Sequence, residues 1–93
     1  MKDKKIRHAT HLLEQIARRK IDLDVIESVI KNPQQRIPDK DDPEREIYQS
    51  VIVDDKGKQK IIRIVIQDIE SEKVVITAYI SSKVSKYWSQ NEN

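Results

Sequence analysis

The chain has no cysteine, no phenylalanine, one glycine and one tryptophan among its 93 residues. Without cysteine it has no disulfide and no thiol chemistry, which is typical of a cytoplasmic protein. No apolar run approaches the roughly 18 residues that a membrane span needs, so we expect no membrane association. The basic N-terminus also lacks the apolar core of a signal peptide. These absences favour a small cytoplasmic protein whose core is aliphatic.

Charge is abundant but unevenly distributed along the chain. Charged residues make up 37% of the sequence, and the formal net charge is +2. Residues 1–20 and residues 56–93 are net positive, whereas residues 21–55 are net negative. Basic ends suit a phosphate-bearing partner, and the alternative is ordinary solvated charge. Because the apolar residues are clustered, we expect one domain over residues 1–93, with a core of about residues 6–88.

Two β-branched runs, Ile61–Ile66 and Val74–Ile80, dominate the second half of the chain. Short runs of this kind between polar turns are typical of buried strands. The connection Asp68–Lys73 suits an antiparallel hairpin and is too short for a parallel crossover.

Alternation of side chains gives these two strands an apolar face and a more polar face. The polar face carries Arg63, Thr77 and Tyr79, and we expect any active or nucleic-acid-binding surface there. The apolar face needs a cover, for which the N-terminal helices are the only candidates. Its predicted members are Ile62, Ile64, Ile66, Val74, Ile76, Ala78 and Ile80.

Apolar residues at helical spacing predict a first helix over His8–Arg19. Asp22 is a suitable N-cap for a second helix, Leu23–Lys31. The segment Pro33–Pro43 is predicted as a loop, and Glu44–Val53 as a further strand.

The predicted fold follows from this order of elements. Two N-terminal helices pack on a three- to four-stranded antiparallel sheet, and Ser82–Trp88 adds a short last helix. This is a two-layer domain of the α+β class.

His11, Arg19, Arg63 and Tyr79 have the side chains that a metal-independent ribonuclease needs. A histidine acts as general acid or base near neutral pH, and arginines hold a phosphate and stabilise its developing charge. A tyrosine stacks on a base or moves a proton. The alternative is structural, with Arg63 paired to a nearby glutamate and Tyr79 in the core.

Two further groups of residues have both a functional and a structural interpretation. His8, His11 and Glu14 are spaced to share one helix face and hold a metal, but no further ligand stands out, so we expect no metal and no cofactor. Tyr87 and Trp88 serve either as an anchor for the last segment or as a stacking surface for nucleic acid.

Several segments occur in a familiar order and spacing: Thr10-His11, Arg19-Lys20-Ile21, Lys31-Asn32-Pro33, Glu44-Arg45, Ile62-Arg63-Ile64-Val65, Val75-Ile76-Thr77-Ala78-Tyr79 and Lys86-Tyr87-Trp88. Together they resemble a small bacterial family known as domain of unknown function 4258. The resemblance covers about residues 6–88. The chain is also distantly similar to the BrnT toxins, and both look related to the RelE/ParE-like fold of toxin–antitoxin ribonucleases.

The resemblance implies the toxin of a type II toxin–antitoxin system that cleaves RNA, free or on the ribosome, without a metal. A cognate antitoxin encoded nearby would be its partner. Two alternatives stay open: a non-catalytic protein- or nucleic-acid-binding module, and a ParE-like toxin that acts on a protein. The expected catalytic residues are His11, Arg63 and Tyr79. The expected RNA-binding residues are Arg19, Arg45, Thr77, Lys83 and Lys86.

Overall fold

The computed structural model describes residues 4–90, which form a five-stranded mixed sheet and three helices. The α+β class is therefore confirmed. The sheet order is β1-β5-β4-β3-β2, with β1 parallel to β5 and the other pairs antiparallel. The elements are β1 (Lys5–His8), α1 (Leu12–Arg18), α2 (Leu23–Lys31), β2 (Gln35–Pro38), β3 (Arg45–Val53), β4 (Gln59–Ile69), β5 (Glu72–Ser81) and α3 (Val84–Tyr87).

The prediction of a purely antiparallel sheet with three to four strands was wrong. Both missed strands, β1 and β2, have only four residues and lie at the sheet edges. A segment this short gives little periodicity, and each is held by its neighbour, with His8 opposite Val75 and Ile37 opposite Ile47. Because residues 5–8 pair with β5, the first helix begins at Leu12 and not at His8. A strand therefore precedes the first helix.

The central strands follow the predicted alternation around Arg63. β4 and β5 form an antiparallel hairpin in which Arg63 lies opposite Tyr79. β3 pairs with the other side of β4, so that Gln49 lies opposite Arg63. A turn at residues 54–58 joins β3 to β4 and includes Gly57 with φ of 80°, where glycine carries no steric penalty.

Both longer helices contribute to one hydrophobic core against one face of the sheet. The Asp22 side chain caps α2 by accepting a 2.9 Å hydrogen bond from the Asp24 amide, as predicted. Ile64 of β4 is fully buried in this core. The other members are Leu12, Ile16, Ile21, Ile26, Val29, Ile30, Tyr48, Ile62, Ile66, Val75 and Ala78.

A β-bulge in β5 changes the predicted faces of that strand. Val65 lies opposite Thr77, but Ile66 lies opposite Val75, so Ile76 has no partner in the register. Val75 therefore joins the core instead of Val74 or Ile76. A bulge adds one residue to a strand and reverses the alternation beyond it. Ile80, also predicted for the apolar face, is exposed.

The chain leaves α1 through a Schellman motif. The Ile21 amide donates to the Ile16 carbonyl at 2.8 Å, and the Lys20 amide donates to the Ala17 carbonyl at 3.2 Å. Lys20 has φ of 57°, the left-handed conformation that usually belongs to glycine at this position. The same motif brings Ile16 and Ile21 together in the core.

Candidate functional site

A cleft of about 730 Å³ lies on the sheet face that the core cluster does not occupy. Arg63, Val65 and Tyr79 form its floor, because they point away from Ile62, Ile64 and Ile66. Residues 37–41, at the end of β2 and in the following turn, form one wall, and residues 85–90 form the other. The chain reverses after β5, so α3 and the residues beyond it cover the middle of the sheet.

Arg63 is the central residue of the cleft, and only 8% of it is exposed. Its Nε donates to Gln49 Oε1 at 2.8 Å, and its Nη1 donates to the Tyr79 hydroxyl at 2.7 Å. The guanidinium carbon lies 4.2 Å from the centroid of the Tyr87 ring. Tyr79 and Tyr87 meet edge to face, with centroids 6.3 Å apart. The arginine is thus fixed by neutral groups on three sides.

No Asp or Glu among residues 4–90 forms an ion pair with Arg63. The glutamate pairing considered from the sequence is absent at Glu72, which binds Arg7 at 2.9 Å instead. A buried cation without a carboxylate is costly, and hydrogen bonds from neutral groups compensate only in part. The guanidinium therefore favours the binding of an anion in the cleft.

Arg36 provides an internal comparison, because it also lies over a tyrosine ring, that of Tyr48, at 4.6 Å. Arg36 forms two hydrogen bonds to the Glu46 carboxylate, at 3.2 and 2.8 Å. These hydrogen bonds raise the pKa of the Arg36 guanidinium above its usual value. Of these two arginine–tyrosine pairs, only the one at Arg63 lacks a counter-ion in the part of the chain that the structure describes.

Two buried glutamines, which the sequence analysis did not identify, join Arg63 to the C-terminal wall. Gln49 is fully buried and Gln35 is 4% exposed. Gln49 Nε2 donates to Gln35 Oε1 at 2.8 Å and to the Tyr87 carbonyl at 3.0 Å. Gln35 accepts from the Ser89 amide and donates to the Ser89 carbonyl, both at 3.0 Å. Alternation would have placed Gln49 on the face of Ile47 and Val51, as a polar residue between apolar ones.

The structure separates His11, Arg19 and Thr77 from the cleft. The His11 side chain is 75% exposed and lies 3.4 Å from Glu14 Oε1, at the start of a helix whose buried side packs on the other sheet face. Arg19 donates to the Ala78 carbonyl at 2.8 Å and to the Thr77 hydroxyl at 3.2 Å. The Thr77 hydroxyl donates to Gln15 at 2.7 Å. These contacts attach α1 to β5, and none of the three residues lines the cleft.

The remaining predicted RNA-binding residues differ in their position relative to the cleft. Lys86 lines the cleft, with its Nζ 5.2 Å from the Tyr87 ring centroid. Lys83 is exposed just before α3 and lies outside the cleft. Arg45 opens β3, with its Nε 3.3 Å from Asp42 Oδ2 in an ion pair that lacks hydrogen-bond geometry. The structure therefore brings together Arg63, Tyr79 and Lys86.

The metal site considered from the sequence does not assemble. His8 belongs to β1 and not to the helix that begins after His11. Within residues 4–90 no three His, Asp or Glu side chains are grouped so that they could hold a metal ion. None of the helices in that part of the chain is long and apolar enough to span a membrane.

The fold and the cleft define a small α+β protein with a buried arginine between aromatic side chains, for which the described residues supply no ion-pair partner. Residues 9–80 match the family described as Domain of unknown function (DUF4258), and the chain belongs to this family. None of the curated proteins and none of the solved structures matches the chain. The similarity to BrnT and RelE/ParE-like toxins and the roles expected of the site residues therefore stay predictions.

Proposed function

We propose that this protein is the toxin of a type II toxin–antitoxin system, and that it binds and cleaves single-stranded RNA in the cleft without a metal. The observation that carries the proposal is the buried guanidinium of Arg63, which is surrounded by Gln49, Tyr79 and Tyr87 and has no carboxylate partner within residues 4–90. A phosphodiester provides the negative charge that this position lacks.

The aromatic residues favour single-stranded RNA over a duplex. Tyr79, Tyr87 and Trp88 line the cleft beside Arg63 and Lys86. Unstacked bases bind to aromatic side chains of this kind, whereas paired bases are not available for stacking. In the bound complex Arg63 and Lys86 hold the phosphate, and the aromatic rings take the neighbouring bases.

The chemistry that fits these groups is attack by the RNA itself. The 2′-oxygen bonds to the adjacent phosphorus as the bond to the 5′-oxygen breaks. The products are a 2′,3′-cyclic phosphate and a 5′-hydroxyl. The proton of the 2′-hydroxyl passes to solvent water. The 5′-oxygen takes a proton from the Tyr79 hydroxyl, which regains one from solvent. The Tyr79 hydroxyl accepts from Arg63, so its own proton is directed elsewhere and is available to the leaving oxygen. Arg63 stabilises the charge that builds on the phosphate.

A second candidate is a non-catalytic RNA-binding module. The observation that favours it is the position of His11, the expected proton-transfer group, at the start of α1 and outside the cleft. No other histidine lines the cleft among the described residues. Binding without cleavage would distinguish this module from the ribonuclease.

The proposed toxin requires a partner that blocks the cleft. An antitoxin that inserts an acidic side chain beside Arg63 would supply the missing counter-ion and exclude RNA at the same time. Its apolar side chains would cover Tyr87 and Trp88. The proposal thus predicts that antitoxin and RNA compete for one site.

The test uses purified wild-type protein freed of any partner, a labelled single-stranded RNA of mixed sequence, and total and ribosome-bound RNA. Binding and cleavage are measured in EDTA at several salt concentrations. The variants are Arg63→Met in the cleft, Lys86→Ala at its exposed edge, and Arg36→Met as the matched control. Arg36 is the arginine that stacks on Tyr48 but is already neutralised by Glu46.

The proposal expects salt-sensitive binding by the wild type and cleavage in EDTA. Arg63→Met and Lys86→Ala should weaken both, while Arg36→Met should leave both unchanged. Because Lys86 is exposed, its variant remains informative if Arg63→Met fails to fold. Binding without cleavage would favour the module. Equal behaviour of the Arg63 and Arg36 variants, with both folded, would overturn the role of the cleft.

A further inference from the structure

The glutamines Gln49 and Gln35 form a directional hydrogen-bond chain from Arg63 to the backbone of the C-terminal segment. A guanidinium can only donate hydrogen bonds, so Gln49 must present its oxygen to Arg63 Nε, at 2.8 Å. Its amide nitrogen is then left to donate to Gln35 and to the Tyr87 carbonyl. The charged donor therefore fixes the orientation of both amides.

The hydrogen-bond chain from Arg63 ends on the wall of the cleft formed by residues 85–90. Gln35 receives a hydrogen bond from Gln49 on its oxygen, and that oxygen also accepts from the Ser89 amide. Its nitrogen donates to the Ser89 carbonyl. Three backbone groups of residues 87–89 are thereby bound by two side chains of the sheet. Hydrogen bonds arranged in series polarise one another, and a charged donor at one end strengthens the whole chain.

Because the glutamine side chains are buried, their amide groups need hydrogen-bond partners within the protein. An amide taken out of water is destabilising unless its hydrogen bonds are replaced, and Gln49 is fully buried. An apolar side chain of similar size would fill the same space, so packing alone does not call for an amide at this position. The amide does what an apolar residue cannot, because it orients the arginine and holds the segment above it.

We infer that Gln49 and Gln35 are positioning residues of the cleft: they couple the orientation of Arg63 to the placement of the wall that carries Tyr87 and Trp88. The role in RNA binding rests on the proposed function, whereas the coupling itself does not. A glutamate at position 49 would not substitute. It would accept from Arg63 but could not donate to Gln35 or Tyr87, and its charge would neutralise the arginine.

Trp88 is the single tryptophan of the sequence and lies in the wall, next to the backbone groups that the glutamines bind. Its quenching by acrylamide therefore reports whether the wall is in place, with no RNA present. The variants are Gln49→Met, Gln35→Met and Arg63→Met. The matched control is Gln67→Met, which changes a half-buried glutamine on the same face of β4.

The three variants of the hydrogen-bond chain should fold cooperatively, and the quenching of Trp88 in them should shift towards that of the urea-unfolded protein. In Gln67→Met the quenching should match that of the wild type. Unchanged quenching in Gln49→Met and Gln35→Met would overturn the coupling. If Gln49→Met does not fold, Gln35→Met, at the outer end of the chain, decides the question.

RNA binding is then measured with the same proteins and the same labelled single strand. Gln49→Met should bind roughly tenfold more weakly, the loss expected when a charge-assisted hydrogen bond is removed. Gln49→Glu should bind more weakly still, because its carboxylate takes the place of the phosphate. If the wild type binds no RNA, the proposed function fails while the fluorescence result stands. If RNA binding is equal in the wild type and Gln49→Met, the positioning role in RNA binding fails.

Discussion

Arg63 and Tyr79 lie opposite each other on β4 and β5, and the guanidinium donates a 2.7 Å hydrogen bond to the tyrosine hydroxyl. Tyr48, on the other face of the sheet, differs from Tyr79 in the hydrogen bonding of its hydroxyl. It is fully buried, and its hydroxyl has no hydrogen-bond partner among the described residues. The hydroxyl groups of Tyr79 and Tyr48 thus differ in what they contribute to the stability of the fold.

Removing the two hydroxyls should have unequal effects on stability. Tyr79→Phe leaves a buried guanidinium N–H unpaired, which should cost about 1.5–3 kcal/mol of unfolding free energy. Tyr48→Phe removes a buried polar group that lacks a partner, so it should be neutral or stabilising. Urea denaturation of both variants at neutral pH measures the difference. A larger loss in Tyr48→Phe would contradict the contacts described here.

Lys20 should be replaceable by glycine with a gain in stability. Its φ of 57° is unfavourable for a residue with a Cβ, by roughly 1–2 kcal/mol. Glycine would remove this cost, but its greater freedom in the unfolded chain offsets part of the gain. Lys20→Gly should therefore stabilise the protein by about 0.5–1 kcal/mol in urea denaturation.

The control for this change is Lys31→Gly at the end of α2. There the backbone is helical, so glycine should destabilise by up to about 1 kcal/mol. Stabilisation by both substitutions, or by neither, would mean that the left-handed conformation of Lys20 does not limit stability.

The turn between β3 and β4 should make stability depend on acid pH. Hydrogen bonds from the backbone amides of Lys58 and Lys56, at 2.8 and 2.9 Å, lower the pKa of the Asp54 carboxyl below its usual value. A lowered pKa in the folded state means that the ionised carboxylate stabilises the fold. This contribution to stability is fully present above the pKa of the carboxyl in the unfolded chain, about 4. It is lost as the pH falls through the lower pKa that the Asp54 carboxyl has in the folded protein.

Asp54→Asn should therefore reduce stability at neutral pH and differ less from the wild type in strong acid. Unfolding free energies of the two proteins, measured in urea from about pH 7 to about pH 2, give the comparison. Asp55→Asn, at an exposed neighbour, should leave the pH profile unchanged. A constant difference between Asp54→Asn and wild type across this range would exclude a role for the Asp54 charge.

The assigned core face is tested by Ile64, which is fully buried. Ile64→Ala should cost about 2–5 kcal/mol, as expected for a large-to-small change in a core. Lys58→Ala removes an exposed side chain and should change stability by less than about 0.5 kcal/mol. Similar losses in denaturant would mean that β4 presents the other face to the helices.

Alternation in β4 and β5 was enough to predict that Arg63 and Tyr79 share a face, because both strands are long and regular around this pair. Thr77 keeps the same face by its register opposite Val65, but its hydroxyl binds Gln15 and Arg19 of the α1 region and it does not line the cleft. Alternation failed on the other side of the bulge at Ile76, where Val75 and not Val74 joins the core, because an inserted residue is invisible to a rule of strict alternation.

Which residues come together at the cleft depends on contacts between distant segments, and a local sequence pattern does not show such contacts. β1 exists because it pairs with β5, and this pairing moves the helix start to Leu12 and leaves His11 away from Arg63. Gln49 could have been noticed as a polar residue on an apolar strand face. Gln35 had no such signal, since it lies in a segment bounded by prolines that predicted a loop.

The pairing of β1 with β5 has a consequence for synthesis on the ribosome. Residues 5–8 leave the exit tunnel well before their partners, residues 72–75. Until then β1 has no neighbour, and Ile6 cannot pack against the core. Contacts between such distant segments form slowly, so the nascent chain keeps an open sheet edge until residues 72–75 have emerged. The protein is therefore most vulnerable to proteases and aggregation before its fifth strand emerges.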